Sequence, residues 1–406
     1  ISQYNLFLIN YESLPSYRDA LKHIIDKETL LVFDEVHKIK RIDSERSKIA
    51  IELSQNTPYR IVLTGTPIPN NYQDIWNFLH ILYDFEYQQY FGFTLSQLNN
   101  LSITDIEEIN SKLNPFFWRV TKNQLSVPEV NPDAIISITA DSIEQQVIDL
   151  LWKKFRFSPF SLYMRLIQLS SNPDLLKKGI TNELYGSYEF DNYEYLDEII
   201  EDKPVYTQNE LQLLDSLKNN SKFKECIHLS SKLIEEGRKH IIWCIFVDTI
   251  NKIGKELINR GYRVAIIYGA ISSEEREKII LGFQNNEYDV LVTNPHTLAE
   301  SVSLHMVAHD AIYYEYSFNL THMLQSRDRI HRVGLEKNQE TNYYYLMLEG
   351  QTERRNTVDR KIYLRLEEKK NLMIQAIESE TIRPNYSLDE RQEILKMMQE
   401  EIGVKN

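Results

Sequence analysis

Short apolar runs alternate with amphipathic stretches along most of this chain. Between Tyr4 and Pro67 the runs YNLFLIN, LLVFDE and RIVLTGTP are separated by helix-like segments such as SERSKIAIELSQN. Continuous apolar runs spaced by amphipathic helices predict parallel strands covered on both faces. The same alternation returns later, where HIIWCIFVD, RVAIIYG, DVLVTNP, DAIYYEYS and TNYYYLML read as strands. Among them, TINKIGKELINR runs to Gly261, well placed as a helix stop. SSEEREKIILGFQ carries Ser272 and Glu275 at the spacing of a capping box. The predicted class is therefore α/β, with two doubly wound parallel-sheet lobes.

The stretches between and after the lobes have other patterns. Residues 71–176 read as helical and rich in aromatics, as in IWNFLHILYDF and EQQVIDLLWKKF. Residues 177–221 are acidic, Tyr-rich and aperiodic, which predicts an insertion or linker. Residues 351–406 are charged and helical. The expected organisation is thus 1–70, part of a first lobe; 71–176, helical insertion and inter-lobe helices; 177–221, linker; 222–350, second lobe; and 351–406, helical extension.

Composition changes this picture little. A chain of 406 residues is too long for one ordinary core. Its 42% hydrophobic and 26% charged residues are those of a globular protein, and no apolar run approaches a membrane span. The net charge of −13 argues against a surface that is basic throughout, while leaving room for a local basic groove. Glu183 to Asp202 holds eight acidic residues and no basic one, so it is a poor surface for DNA. Cys226 and Cys244 sit in apolar surroundings and read as reduced core residues of a cytoplasmic protein.

Four motifs carry chemistry. Asp34-Glu35-Val36-His37 closes a strand, where an acidic pair faces the crevice in which α/β sheets bind ligands. One acid can hold magnesium while its neighbour polarises an attacking water; the bland alternative is a solvated acidic pair. Leu63-Thr64-Gly65-Thr66-Pro67 puts two hydroxyls beside it, or is an ordinary turn. In Gln325-Ser-Arg-Asp-Arg329-Ile-His331-Arg332-Val-Gly334, a helix would place Arg329 and Arg332 on one face. Two arginines suit the charge on a transferred phosphate, although a salt-bridged surface helix has the same pattern. Val292-Thr293-Asn294-Pro295 followed by LAESVSLH is a strand-to-helix turn able to line a cleft. His305, His309 and His322 match no common zinc spacing. The tyrosines at 343–345 read as a buried strand.

In this order the motifs resemble the Swi/Snf-type ATPases of helicase superfamily 2. FDEVHKIK is similar to their acidic, DEAH-like motif II and LTGTPIPN to their motif III. PFFWRVTK (Pro115 to Lys122), RLIQLSSNPDLL, YGAISSEERE, VTNPHTLAESVSLH and QSRDRIHRVG follow in family order. The resemblance implies two RecA-like lobes, ATP and Mg2+ as cofactors, and double-stranded DNA as partner. By position, Asp34 and Glu35 would hold Mg2+ and activate water, and His37, Thr64 and Thr66 would couple nucleotide state to lobe contact. Gln325, Arg329 and Arg332 would act on the γ-phosphate. Gly65, Thr66, Glu300 and Ser301 join the nucleotide set. Asn10, Tyr11, Thr64, Gly269, Thr293, Asn294 and Asn319 are expected on the DNA-tracking face. Three departures stand out: Val120 replaces a usual arginine, Ala299-Glu300-Ser301 replaces a glycine-rich stretch, and Leu335 stands where glutamine is common. This variant resembles bacterial members, some of them tied to defence complexes.

One expected part is missing. No glycine begins a G-x-x-x-x-G-K-[ST] phosphate loop. A longer protein with the loop upstream is expected, with roughly 80 to 150 further residues to complete the lobe; a descendant that lost it, or a loop supplied by a partner chain, are the alternatives. The expected function is an ATP-dependent duplex-DNA translocase or remodeller, whose fragment alone is inactive. A non-catalytic scaffold subunit and an RNA helicase are the rival readings.

Overall fold

The computed structural model describes residues 5–65, 72–99, 102–113, 116, 124–179, 204–298, 302–352, 355–378 and 390–403. The chain forms two compact units, Ile1–Arg119 with Lys369–Leu388, and Val120–Glu368 with Asp389–Asn406.

In the first unit, β1 (Leu30–Phe33) and β2 (Tyr59–Val62) pair in parallel, with Leu30 opposite Tyr59 and Phe33 opposite Val62. Three helices cover one face: α1 (Leu14–Ile24), α2 (Glu45–Ser54) and α3 (Ile75–Tyr83). Pro15 sits in the first turn of α1, where its missing N–H is no loss. Ser44 caps α2 by accepting from the Ser47 N–H at 3.2 Å. Leu21, Phe33, Val36, Ile49, Leu53 and Ile81 form the core between helices and sheet. Among the described residues the other face is left exposed. Leu30, Val32, Tyr59, Ile61 and Leu63 are each 44–57% exposed. Side chains alternate along a strand, and the register pairs Leu30 with Tyr59 and Val32 with Ile61, so these five form one apolar surface.

The strand expected at YNLFLIN does not form among its described residues. Residues 5–10 join no ladder among the described residues, and Leu6 and Leu8 are 76% and 88% exposed. An apolar run becomes a strand only through a neighbour that takes its backbone hydrogen bonds, and these residues pair with neither outer edge of the β1–β2 sheet.

The second unit is a six-stranded, all-parallel sheet in the order β3-β8-β7-β4-β6-β5. Its strands are β3 (Ala134–Thr139), β4 (His240–Trp243), β5 (Val264–Ile267), β6 (Val290–Thr293), β7 (Asp310–Tyr313) and β8 (Asn342–Glu349). All five strands expected after residue 222 are there. Every residue of β4, β6 and β7 is buried, as expected of central strands covered on both faces. Tyr343 and Tyr345 are buried in β8.

β3 corrects the wholly helical reading of 71–176. The segment AIISIT alternates between half-buried and exposed, the mark of an edge strand, and it pairs with β8 from Ala134–Tyr344 to Thr139–Glu349. Only the long-range pairing with β8 distinguishes it from the helices that follow, Ser142–Phe155 and Pro159–Ser171.

The helices of this unit start and stop where the sequence marks them. Asn220 caps Ser221–Glu235, and Val247–Asn259 ends just before Gly261, which takes a φ of +89°. Within that helix Gly254 lies against Ile266 of β5 so closely that a Cβ would collide with it. Ser272 accepts from the Glu275 N–H at 3.2 Å and opens the helix Ser273–Gln284. Part of the expected linker is helical, at Gln208–Ser216; residues 180–203 lie outside the described set. The C-terminal region is helical at Asp359–Glu378 and Glu390–Ile402. Among the described residues, no helix is long and apolar enough to cross a membrane.

Candidate functional site

The acidic motif follows β1 directly. Asp34 is exposed at the C-terminal end of the strand, and its Oδ1 accepts from the Glu35 N–H at 3.0 Å. Glu35 itself adopts a left-handed conformation, φ 50° and ψ 48°. For a residue with a Cβ that costs about 1 kcal/mol, and such strain concentrates where a side chain must be aimed. The turn is held from both sides: Leu63 N donates to Phe33 O at 2.9 Å and Val36 N to Leu63 O at 3.0 Å. These two bonds extend the parallel ladder past the strands and set the acidic motif against the Thr64-Gly65 turn.

His37 joins the two motifs. Its Nδ1 lies 3.1 Å from Thr64 Oγ1 and 3.2 Å from Glu35 Oε2. With a proton on Nδ1 the ring donates to the carboxylate or the hydroxyl; with the proton on Nε2, the Thr64 hydroxyl donates to the ring. Tyr11 donates its hydroxyl to the Asp34 carbonyl at 2.7 Å. Burial, then the charges of Asp34 and Glu35, push that hydroxyl far above its ordinary pKa, so it stays a donor. Asn10 is exposed and caps the short helix Tyr11–Ser13 by accepting from Ser13 N at 3.0 Å. Asp34, Glu35, His37, Thr64, Gly65, Asn10 and Tyr11 are therefore gathered around one strand end. Thr66 lies outside the described residues.

The arginine motif belongs to the second unit. The helix Leu320–Arg327 is capped by Asn319, whose Oδ1 accepts from His322 N at 3.0 Å. The expected helical face for Arg329 and Arg332 is not formed, because the helix stops at Arg327. Tighter bonds close it, Arg329 N to Ser326 O and Ile330 N to Arg327 O, both at 3.3 Å. The Tyr343 hydroxyl takes up the Arg327 carbonyl at 2.8 Å. Arg329 is consequently buried, with Nε donating to Gln325 O and Nη1 to Val302 O, each at 3.1 Å. Arg332 is exposed and donates to Ser303 Oγ at 3.0 Å. The two guanidinium groups differ in setting: one is locked to backbone, the other is open to an anion.

Around the C-terminal ends of β4, β6 and β7 lies a small crevice lined by Ile245, Asn294, Pro295, Glu315, Asn319 and His322. Asn294 and Asn319, which the sequence reading puts on the DNA-tracking face, are among the residues of this crevice. Thr293 is fully buried beneath, while Gly269 is exposed after β5. Glu300 and Ser301 lie outside the described residues, as does the stretch Pro115 to Lys122 apart from Phe116.

Sequence reasoning missed Glu315. Its buried carboxylate accepts from Ile245 N at 2.5 Å, from Phe246 N at 2.9 Å and from Ser171 Oγ. Burial raises its pKa to about 7, with the two backbone N–H bonds opposing. The signal was present, an acid straight after the apolar run DAIYY, but only the tertiary structure shows that it is buried.

Residues 1–148 match the SNF2-related domain, and residues 221–334 match the helicase conserved C-terminal domain. Over these two stretches the chain is similar to SNF2-related, helicase-type proteins. The ISWI chromatin-remodeling complex ATPase ISW2 of Saccharomyces cerevisiae is 25% identical over all of this chain and 34% of its own length. The human SWI/SNF-related matrix-associated actin-dependent regulator of chromatin subfamily A member 1 is 26% identical over 83% of this chain and 31% of its own. The chain thus spans about a third of the length of these relatives. A crystal structure of the C-terminal part of the Fun30 ATPase domain overlays with a TM-score of 0.45 and 17% identity, covering 68% of this chain and 97% of that one. The matched domains hold the acidic motif in the first unit and the arginine turn in the second.

Proposed function

We propose that this chain supplies the hydrolytic residues of a Swi/Snf-type, DNA-dependent ATPase that translocates on double-stranded DNA. The observation that carries the reading is the His37–Thr64 contact at 3.1 Å, with Glu35 on the same nitrogen. It ties an acidic, DEAH-like motif to a Thr-Gly turn, as a motor needs if nucleotide chemistry is to move anything.

The donor set suits magnesium: an exposed carboxylate at a strand's C-terminal end, a hard oxygen ligand that leaves room for water. Asp34 is the residue that would hold Mg2+, which when bound offsets charge on the phosphates of ATP. Glu35 would orient the attacking water as base. Arg332, exposed, is the stronger candidate for contact with a phosphate, and Arg329 shapes the turn beneath it. Gln325, Gly65, Thr66, Glu300 and Ser301 complete the proposed nucleotide set. Asn10, Tyr11, Thr64, Gly269, Thr293, Asn294 and Asn319 are the proposed nucleic-acid set.

The phosphate loop itself is not in these 406 residues. The bare apolar face of β1 and β2 is the kind of surface that further strands and helices cover. We place the loop on such elements, in the same polypeptide or a partner, and expect this chain alone to be silent. Two free, buried cysteines suit the reducing cytoplasm. The departures noted in the sequence favour a bacterial member that works in a DNA-processing or defence complex.

The test is ATP hydrolysis by the natural full-length protein with duplex DNA, single strands or RNA as activator. Stimulation by duplex DNA that is lost in Glu35→Gln and in Arg332→Ala is expected. Hydrolysis surviving both changes overturns the assignment, and stimulation by RNA alone makes the protein an RNA helicase. Failure of the full-length protein to bind ATP favours the scaffold reading.

A further inference from the structure

A short strap, residues 124–133, leads into β3 and grips the arginine turn at two points. At one end Arg327 Nη1 donates to both carboxylate oxygens of Asp133, each at 2.9 Å. At the other, His331 Nε2 lies 2.6 Å from the Pro128 carbonyl. Between them Asn131 N donates to Thr341 O at 3.1 Å, and Asn131 Nδ2 to Asn342 Oδ1 at 2.7 Å, fastening the strap to the start of β8.

The Asp133–Arg327 pair is buried, with the side chains 8% and 10% exposed. Tyrosines enclose it. The guanidinium lies 3.8 Å from the centroid of the Tyr343 ring, and Nη1 also donates to Tyr345 Oη at 3.0 Å. Tyr363 donates to Asp133 Oδ2 at 3.2 Å. Arg327 is also the last residue of its helix, and its carbonyl accepts from the Tyr343 hydroxyl. Both its side chain and its backbone are therefore held at the point where the helix turns into the Arg329–Arg332 segment.

A buried ion pair adds little net stability, because desolvation offsets the Coulomb attraction. What it does well is select one arrangement, since any other leaves a charge unpaired in a dry site. Arg327, already engaged by a carboxylate and two rings, is not available as a third phosphate contact. We infer that Asp133 and Arg327 are positioning residues, a clasp by which the strap sets the turn carrying Arg329 and Arg332. The catalytic consequence rests on the function proposed above; the positional one does not.

The experiment uses the natural full-length protein with Asp133→Asn, Arg327→Met and the exchanged pair Asp133→Arg with Arg327→Asp. Two readouts are taken: hydrogen exchange of the amides of residues 328–334, and kcat and KM for ATP with duplex DNA. The single variants should speed exchange in that segment alone. They should lower kcat about 10- to 100-fold, as displaced catalytic groups do, with KM nearly unchanged. The exchanged pair should recover part of both. Unchanged exchange in 328–334, or acceleration spread through the whole unit, overturns the clasp. Altered exchange with unaltered kcat overturns its catalytic part. A wild type without hydrolysis sinks the proposed function instead, and exchange still decides the clasp. Should Asp133→Asn fail to fold, Asp133→Glu keeps the charge, shifts it by one methylene and carries the same test.

Discussion

His37 Nδ1 and Thr64 Oγ1 are 3.1 Å apart although 27 residues separate them in the chain. The contact exists because Leu63 continues the ladder of β1 and β2 and brings the Thr-Gly turn alongside the acidic motif. Thr64→Val keeps the shape and removes the hydroxyl. Loss of a hydrogen bond of about 1.5 kcal/mol, if made in the transition state, lowers DNA-stimulated turnover roughly tenfold. Nucleotide affinity should stay as it is. Steady-state hydrolysis beside a nucleotide titration checks this, and equal loss in both would mean that Thr64 serves binding.

Glu315 should make stability depend on pH. Its pKa in the fold, about 7, lies above its ordinary value of 4.5 because burial disfavours the charge. Between those values the folded protein keeps a proton that the unfolded chain has released. The stabilisation is therefore complete below the lower value and is lost as pH rises through the upper, by about 1.4 kcal/mol per pH unit. Glu315→Gln, which cannot titrate, should flatten this slope. Urea unfolding at a series of pH values reads it directly; an equal slope in the variant would assign the dependence to another group.

Lys222 and Asp359 form a second buried pair, 2.7 Å apart with side chains 2% and 7% exposed. Asp359 Oδ2 also accepts from Ser170 Oγ at 2.5 Å and from Leu348 N at 3.0 Å. Removing the lysine charge leaves that carboxylate buried without its counter-ion. Lys222→Met should destabilise the second unit by about 3–5 kcal/mol. Changing both residues together, to Met and Leu, should cost far less. A double-mutant cycle by chemical denaturation measures the difference.

Cys226 and Cys244 are fully buried, and burial raises both thiols above their ordinary pKa. The thiolate is the reactive form. A thiol reagent should therefore leave the native protein unmodified and label both cysteines once denaturant is added. Rapid labelling of either in the native state would contradict the buried geometry.

The sequence determined the local elements and their chemistry. The strands of the second unit, the helix stop at Gly261, the cap at Ser272 and the acidic pair after β1 depend on neighbours within a few residues. Such neighbours are legible in order along the chain. Tertiary structure decided what depends on distant partners. Residues 6–9 are as apolar as β1, yet join no described ladder, whereas Ala134–Thr139 becomes an edge strand because β8 offers it a ladder 210 positions away. The turn at Arg329 and Arg332 is likewise set by tyrosines of β8 and a strap ending at Asp133, not by the helical spacing of the arginines. A side chain's charge is written in its codon, but its burial, and so its pKa and its use, is fixed by what the rest of the fold lays over it.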